Sequence, residues 1–291
     1  MLHNAFRVSF AARARAIYDL VKPELPIAAG ICVVAGEVIA SENVPTAFVA
    51  LNGFFTGFFI SGAAMITNDY FDLEVDRINH PQRPLPSGRI SSLEVMILAC
   101  LFSVAGLITS ALLGPFALAL AIFMWTVSNL YNWRYKEAGL LGNMMVGLCL
   151  AMLFILGGVA VGRLDNPMIW TFGALVFVFD LGEEIAGGAM DMEGDRKRSA
   201  RSIALVHGKT HALRVSSLLF GLFVVISLLP FMMGWLESLY LVIFVPMDLA
   251  ILYFALELPK SQTAEEGRAR IRQLYLSTTL FVTAFVVISI L

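Results

Sequence analysis

Two pairs of aspartates could carry chemistry in this chain. Asp72 and Asp76 stand four residues apart and are followed by Arg77; Asp191 and Asp195 stand four apart and are followed by Arg196, 119 residues later. Residues i and i+4 of a helix share a face, so each pair is expected to project together, with Asn68 and Asp69 extending the first cluster by a turn. Four carboxylates gathered in one place repel one another unless positive charge sits between them. Mg2+ is a natural partner because it typically uses one or two carboxylates plus substrate phosphates. The Arg and Lys residues nearby suit the same substrate, since guanidinium groups match phosphate oxygens in a two-pronged geometry. The expected chemistry is a diphosphate held by bridging Mg2+. A single DxxxD pair is ordinarily just a solvated helix face; two at matched positions, each followed by arginine, argue for a shared site.

The elements that must position these acids are membrane helices. Of the 291 residues, 58% are hydrophobic and only 14% charged, with a mean hydropathy of +0.80; soluble domains carry about 25% charged residues. Apolar runs near the roughly 20 residues needed to cross a bilayer occur nine times, at 24–40, 44–66, 93–112, 114–131, 140–161, 166–187, 212–234, 238–256 and 272–291. With the N-terminus inside, all but one of the 20 Lys and Arg fall on the inner side, Arg163 being the exception. Cytoplasmic loops retain positive charge, so this split predicts a multi-pass cell-membrane protein with a cytoplasmic N-terminus and acidic loops and an external C-terminus.

Each acidic pair follows an even-numbered run, the second and the sixth, as two copies of a four-helix unit would arrange them. The expected fold is all-α: nine transmembrane helices bundled around a lateral cavity, in two pseudo-repeated four-helix units. One membrane domain is expected over 1–291, its residues 1–20 lying as an amphipathic segment on the inner surface. Cys32, Cys100 and Cys149 fall within predicted spans without ligand spacing and read as packing residues. The charge pattern calls for no nucleic acid.

Ionisable groups inside a membrane are costly and default to functional hypotheses. Asp180, Glu183 and Glu184 lie in or near the end of the sixth run and Asp248 lies inside the eighth. Glu184 is a candidate for touching the acceptor or a metal-bound water, and Asp248 for lining the cavity, against the plainer alternative of a helix-to-helix hydrogen bond. A secondary transporter also uses repeats and buried carboxylates. It would place acids near mid-bilayer and polarity on both faces, whereas here the clusters sit at one face.

The stretch NDYFDLEVDRINHPQRPLPSGRIS at 68–91 resembles the first aspartate-rich motif of the UbiA superfamily of intramembrane prenyltransferases, NDxxDxxxD followed by RP(I/L)PSGR(I/V)S. DMEGDR at 191–196 looks like the second, DxxGD followed by a basic residue. The resemblance implies a helical bundle where Mg2+ and a prenyl diphosphate meet an acceptor. It makes Asn68, Asp72, Asp76, Asp191 and Asp195 the metal set, and places Tyr131 and Lys136 of LYNWRYK at the diphosphate. Lys22 stands where many members have an arginine. Arg77, Arg83, Arg196 and Arg198 supply further positive charge for phosphate. The chain departs from the pattern at Gly187 and Gly188, where several archaeal members carry Lys and Asp, which thins the second acidic cluster. RINHPQRPLPSGRIS and LGGVAVG look most like archaeal digeranylgeranylglyceryl phosphate synthases. That likeness implies transfer from geranylgeranyl diphosphate to the hydroxyl of geranylgeranylglyceryl phosphate, giving an ether lipid. The alternative acceptors are an aromatic quinone precursor or chlorophyllide.

Overall fold

The computed structural model describes residues 10–41, 44–197 and 201–290, and among them every regular element is helical. The helices are α1 (Phe10–Val21), α2 (Glu24–Ala40), α3 (Ala47–Phe71), α4 (Leu73–Asn79), α5 (Ser92–Leu113), α6 (Pro115–Leu130), α7 (Leu140–Ala160) and α8 (Pro167–Met190). After them come α9 (Met192–Lys197), α10 (Ile203–His207), α11 (Lys209–Ser227), α12 (Leu229–Met232), α13 (Leu241–Glu257) and α14 (Ala264–Ile290). Residues 1–9 of the expected interfacial segment lie outside the described residues; its remainder is α1.

The start signals are local. Thr46 accepts from the Val49 amide to cap α3, and Asn166 accepts from Met168 to cap α8. Ser91 and Glu94 form a reciprocal capping box at the start of α5, which satisfies amides that have no partner within the helix. This box fixes where the 80–91 turn passes into α5.

Each of the nine apolar runs coincides with a helix, but six helices are long and apolar enough to cross a bilayer: Ala47–Phe71, Ser92–Leu113, Leu140–Ala160, Lys209–Met232, Ser238–Lys260 and Ala264–Ser289. A seventh arises if α1 and α2 count as one span bent by 50°. The other three runs differ for physical reasons. α2 has 17 residues and α6 has 16, so α6 is roughly 24 Å long against a hydrocarbon core of about 30 Å. α8 has 24 residues, but Asp180, Glu183 and Glu184 interrupt its apolar stretch. The protein is a multi-pass membrane protein, with Leu101, Phe116, Leu218, Val225 and Leu280 among the large apolar side chains left exposed on its outside, where lipid would meet them.

Consecutive helices pack in two series, α2 on α3, α3 on α5 and α5 on α6, then α7 on α8, α8 on α11 and α11 on α13. The first members of the series, α2 and α7, pack on each other, and α14 closes against α13, α8 and α2. The α2–α7 crossing is backbone to backbone. A Cβ on Gly36 would lie 2.3 Å from the Phe154 carbonyl oxygen, and one on Gly157 would lie 2.3 Å from that of Val33. Small residues let membrane helices approach this closely and gain dispersion contacts. Leu20, Ile66, Leu85, Ile90 and Val95 form a smaller core that seats α1 and the 80–91 turn on α3 and α5.

Gly157→Leu is therefore expected to separate α2 from α7 and destabilise the fold by about 1–3 kcal/mol or more. Gly221→Ala, where an added Cβ meets nothing within 4 Å, should be neutral or slightly stabilising. Melting temperatures of the two variants in the same detergent would show the contrast, and equal melting would contradict the close crossing.

Candidate active site

The C-terminal end of α3 concentrates acid where its apolar stretch ends. Asp69 and Asp76 are almost fully buried, and Asp72, the C-terminal cap of α3, is partly so. Buried charges persist only when paired, and three cations from separate parts of the chain supply the pairing. Lys22 Nζ donates to Asp69 Oδ1 at 2.9 Å, Arg83 donates to Asp76 Oδ2 at 2.7 Å with Asp69 Oδ1 at 3.6 Å, and Lys136 Nζ donates to Asp72 Oδ2 at 2.5 Å.

Backbone irregularity delivers at least two of these cations. Lys22 sits at the bend between α1 and α2 with φ of +49°, a left-handed conformation that costs a side-chain-bearing residue roughly 1–2 kcal/mol; its ion pair with Asp69 is a compensating interaction. Lys136 follows a π-helical turn, Tyr131–Tyr135, and its amide bonds to the Tyr131 carbonyl at 2.9 Å. Such turns re-aim side chains and occur often at functional sites. Beneath the acids, Asn132 donates from Nδ2 to the Ala64 carbonyl and Thr67 Oγ1, each at 3.0 Å, while its Oδ1 accepts from Asn68 Nδ2 at 3.1 Å. This fixes the Asn68 amide and leaves its Oδ1 without a partner among the described residues.

The structure thus brings Asn68, Asp72, Asp76, Lys22, Arg83 and Lys136 together. Asp72 and Asp76 are a turn apart, as their spacing predicts, but each binds a different cation. Asp69, which the spacing argument treated as an extension, is the hub that both Lys22 and Arg83 reach. Arg77 stays outside the cluster, exposed and paired with Glu74 at 2.8 Å. Tyr131 lies in electrostatic reach of Asp72, Asp180 and Glu184, and Glu184 in that of Lys136, so the face of α8 adjoins this cluster.

The second set is looser. Asp191 caps α8, is exposed, and accepts from Arg268 of α14 at 2.7 Å. Arg196 is exposed on α9. Asp195 lies on α9, its side chain outside the described residues, and Arg198 lies outside them altogether. Asp248 is buried away from both sets, where its Oδ2 accepts from Ser227 Oγ at 2.8 Å across the α11–α13 interface. The sequence reading missed Asn132 and Arg268; the capping and motif signals are local, and nothing near 191 in the chain points to residue 268.

Among the described residues, no three His, Cys, Asp or Glu side chains converge as a ready-made metal cage. The donor set nevertheless fits a hard divalent cation that arrives with a diphosphate. Such a cation needs only one or two carboxylates beside phosphate oxygens, and Asn68, Asp72, Asp76 and Asp191 offer oxygen donors only. Asp69 Oδ2 is buried without a hydrogen-bond partner among the described residues, so one carboxylate oxygen of the cluster is left open to a further ligand.

Arg83→Met should leave Asp69 and Asp76 short of their shared cation and lower stability by about 2–4 kcal/mol. Arg77→Met removes only an exposed pair and should change stability by less than about 0.5 kcal/mol. Denaturation midpoints of the two variants test this ranking, and the reverse order would dismantle the proposed charge balance.

The sequence matches the UbiA prenyltransferase family over residues 29–282. The digeranylgeranylglyceryl phosphate synthase of Methanopyrus kandleri is 33% identical over 258 residues, covering 88% of this chain and 93% of that protein. A solved structure of a digeranylgeranylglyceryl phosphate synthase in membranes is similar with a TM-score of 0.79 and 28% identity, covering 96% of this chain and 99% of the other. A UbiA homologue from Archaeoglobus fulgidus, solved with geranyl diphosphate (GPP) and Mg2+, shares the fold with a TM-score of 0.69 at 17% identity, covering 94% and 99% of the two chains.

Proposed function

The chain belongs to the UbiA prenyltransferase family, whose members are enzymes that transfer prenyl groups, and we propose that it moves a geranylgeranyl group from its diphosphate to the hydroxyl of geranylgeranylglyceryl phosphate, making an ether membrane lipid. The observation that carries this reading is the cluster of Asp69, Asp72 and Asp76 with Lys22, Arg83 and Lys136 at the C-terminal end of α3. The acceptor assignment is supported by relatives bearing that synthase's name over nearly the whole chain.

In the reaction the allylic C1–O bond breaks, the diphosphate leaves with the electron pair, and the acceptor oxygen bonds to C1 while losing its proton. Asn68, Asp72 and Asp76 with Asp191 and Asp195 would hold Mg2+, which when bound supplies positive charge against the departing diphosphate. Lys22, Arg83 and Lys136 are now spent on carboxylates. Phosphate oxygens entering the cluster give those cations a second set of anions, so the same groups that stabilise the fold bind the donor. Aimed electrostatic stabilisation of a leaving group is often the largest catalytic contribution. Tyr131 supplies a phenol beside Asp72 and Glu184, and the apolar helices keep water from the allylic cation. Arg196 and Arg198 are the groups assigned to the acceptor's phosphate.

The same reading includes the finer architecture: nine spans, with α2, α6 and α8 crossing in spite of their length or acids, a cytoplasmic N-terminus, an external C-terminus and a lateral opening for lipid. The two parallel packing series, α2-α3-α5-α6 and α7-α8-α11-α13, support two related four-helix units. It also keeps 1–291 as one domain with an interfacial N-terminal segment.

Purified protein given radiolabelled geranylgeranyl diphosphate should form product with geranylgeranylglyceryl phosphate, and not with 4-hydroxybenzoate, 1,4-dihydroxy-2-naphthoate or chlorophyllide, each tried separately. EDTA should stop turnover and added Mg2+ restore it. Asp72→Ala and Asp191→Ala should each lower transfer by roughly a hundredfold or more with the fold retained. Product only with an aromatic or tetrapyrrole acceptor would reject the ether-lipid reading, and folded Asp72→Ala at wild-type activity would reject the site.

A further inference from the structure

α8 carries Asp180, Glu183 and Glu184 in its C-terminal half. Asp180 and Glu184 are i and i+4, on one face and roughly 6 Å apart along the axis. Continuing down that face toward the C-terminal end, Gly187 leads to Asp191. A Cβ on Gly187 would meet nothing within 4 Å, so the stripe borders open space between the second acidic set and the deeper carboxylates. Asp180 is 9% exposed, makes no hydrogen bond or ion pair among the described residues, and its Oδ2 is buried without a partner. Titratable groups in electrostatic reach of it include Glu183 and Glu184 on its own helix, Cys149 on α7 and Tyr131 in the π-turn, and Lys136 reaches Glu184. From α7, Gly147 presents only hydrogen, and an added Cβ there would sit 3.3 Å from Asp180 Oδ2.

A buried polar oxygen without a partner is costly, and a carboxylate kept in that condition beside a reaction site is suited to a donor that arrives with substrate. We infer that Asp180 is a catalytic base, taking the proton of the acceptor hydroxyl as its oxygen attacks the allylic carbon. The inference rests on the transferase reading above and deepens it. Lys136 and Asp72 mark the diphosphate end, Tyr131 lies between them and α8, and Asp180 is a turn deeper than Glu184. A hydroxyl approaching C1 from the side opposite the leaving group would come from this direction. One C–O bond forms and one breaks, the electron pair of the old bond leaves on diphosphate, and the hydroxyl proton passes to the Asp180 carboxylate. The positive charge developing at C1 favours the ionised carboxylate at the moment it is needed. Glu184 and the open side of Gly187 give the proton a route to the inner surface afterwards.

Asp180→Asn keeps the size of the side chain and its ability to accept a hydrogen bond while removing basicity. It should lower the transfer kcat by about a hundredfold or more, measured with whichever acceptor the wild-type enzyme turns over, so that a different acceptor alters the substrate reading and leaves this test standing. Acceptor-free release of diphosphate from geranylgeranyl diphosphate, binding of geranylgeranyl thiodiphosphate, and melting temperature should stay at wild-type values, and Asp180→Glu should recover part of the transfer rate. Unchanged transfer in Asp180→Asn would overturn the inference. So would an equal loss of acceptor-free release or donor binding, which would make the residue part of the scaffold or of the donor site.

Discussion

The arrangement turns on one electrostatic constraint: three aspartates within eight residues at the C-terminal end of α3. In apolar surroundings, unpaired carboxylates there would cost several kcal/mol each, so the fold must bring cations to them. Lys22 comes from the α1–α2 bend, Arg83 from the turn after α4 and Lys136 from the π-helical turn after α6. A straight, regular helix would not deliver the first and third of these. The left-handed residue at 22 and the widened turn at 131–135 are where backbone regularity gives way to charge balance, and both border the candidate site. The turn carrying Arg83 is secured in the same manner at its far end, where Arg89 bonds Asp19 at 2.6 Å and Arg13 pairs with Glu94.

The two acidic pairs match in spacing and differ in environment. The first is buried, cross-linked to three elements and braced from below by the Asn68–Asn132–Thr67 network. In the second, Asp191 is exposed and held by a single arginine from α14. Gly187 and Gly188, four and three residues before Asp191 in sequence, offer no side chain that could tie it down. On the proposed reading, donor affinity would depend more on the braced α3 side than on the α8 side.

Much of this was legible in the sequence, for identifiable reasons. Hydropathy reports burial in lipid, so all nine apolar runs are helices. The i, i+4 spacing reports a shared face, so Asp72 and Asp76 do lie in one cluster. Contacts distant in sequence leave no such trace. The bonds of Asp69 to Lys22, of Asp191 to Arg268 and of Asn68 to Asn132 join residues whose neighbours in the chain give no hint of one another. Asp248 shows the same limit: a carboxylate in an apolar run reads equally as a cavity group or as an interhelical hydrogen bond, and its Oδ2 accepts from Ser227, 21 residues away, while its Oδ1 is buried without a partner among the described residues.

The helices that fit a lipid-spanning composition least well are also informative. α2 packs against α3, α7, α8 and α14, and α8 packs against α7, α11, α14 and α2, so both are surrounded by protein over much of their circumference. These two carry Glu37 and Asp180, Glu183 and Glu184, and the buried oxygens of Glu37 and Asp180 have no hydrogen-bond partner among the described residues, a cost that protein surroundings do not lift. Their fit is tight at one point and open at another. Glu37 is wholly buried, with Gly53 leaving the room its Oε1 occupies, whereas the face of α8 beyond Glu184 opens at Gly187. The close α2–α7 crossing through Gly36 and Gly157 holds the first of these helices fixed relative to the half of the bundle that carries the second. Acids on α8 thereby keep a set position relative to Tyr131 and Lys136, which is what a reaction between a diphosphate at one end and a hydroxyl at the other requires.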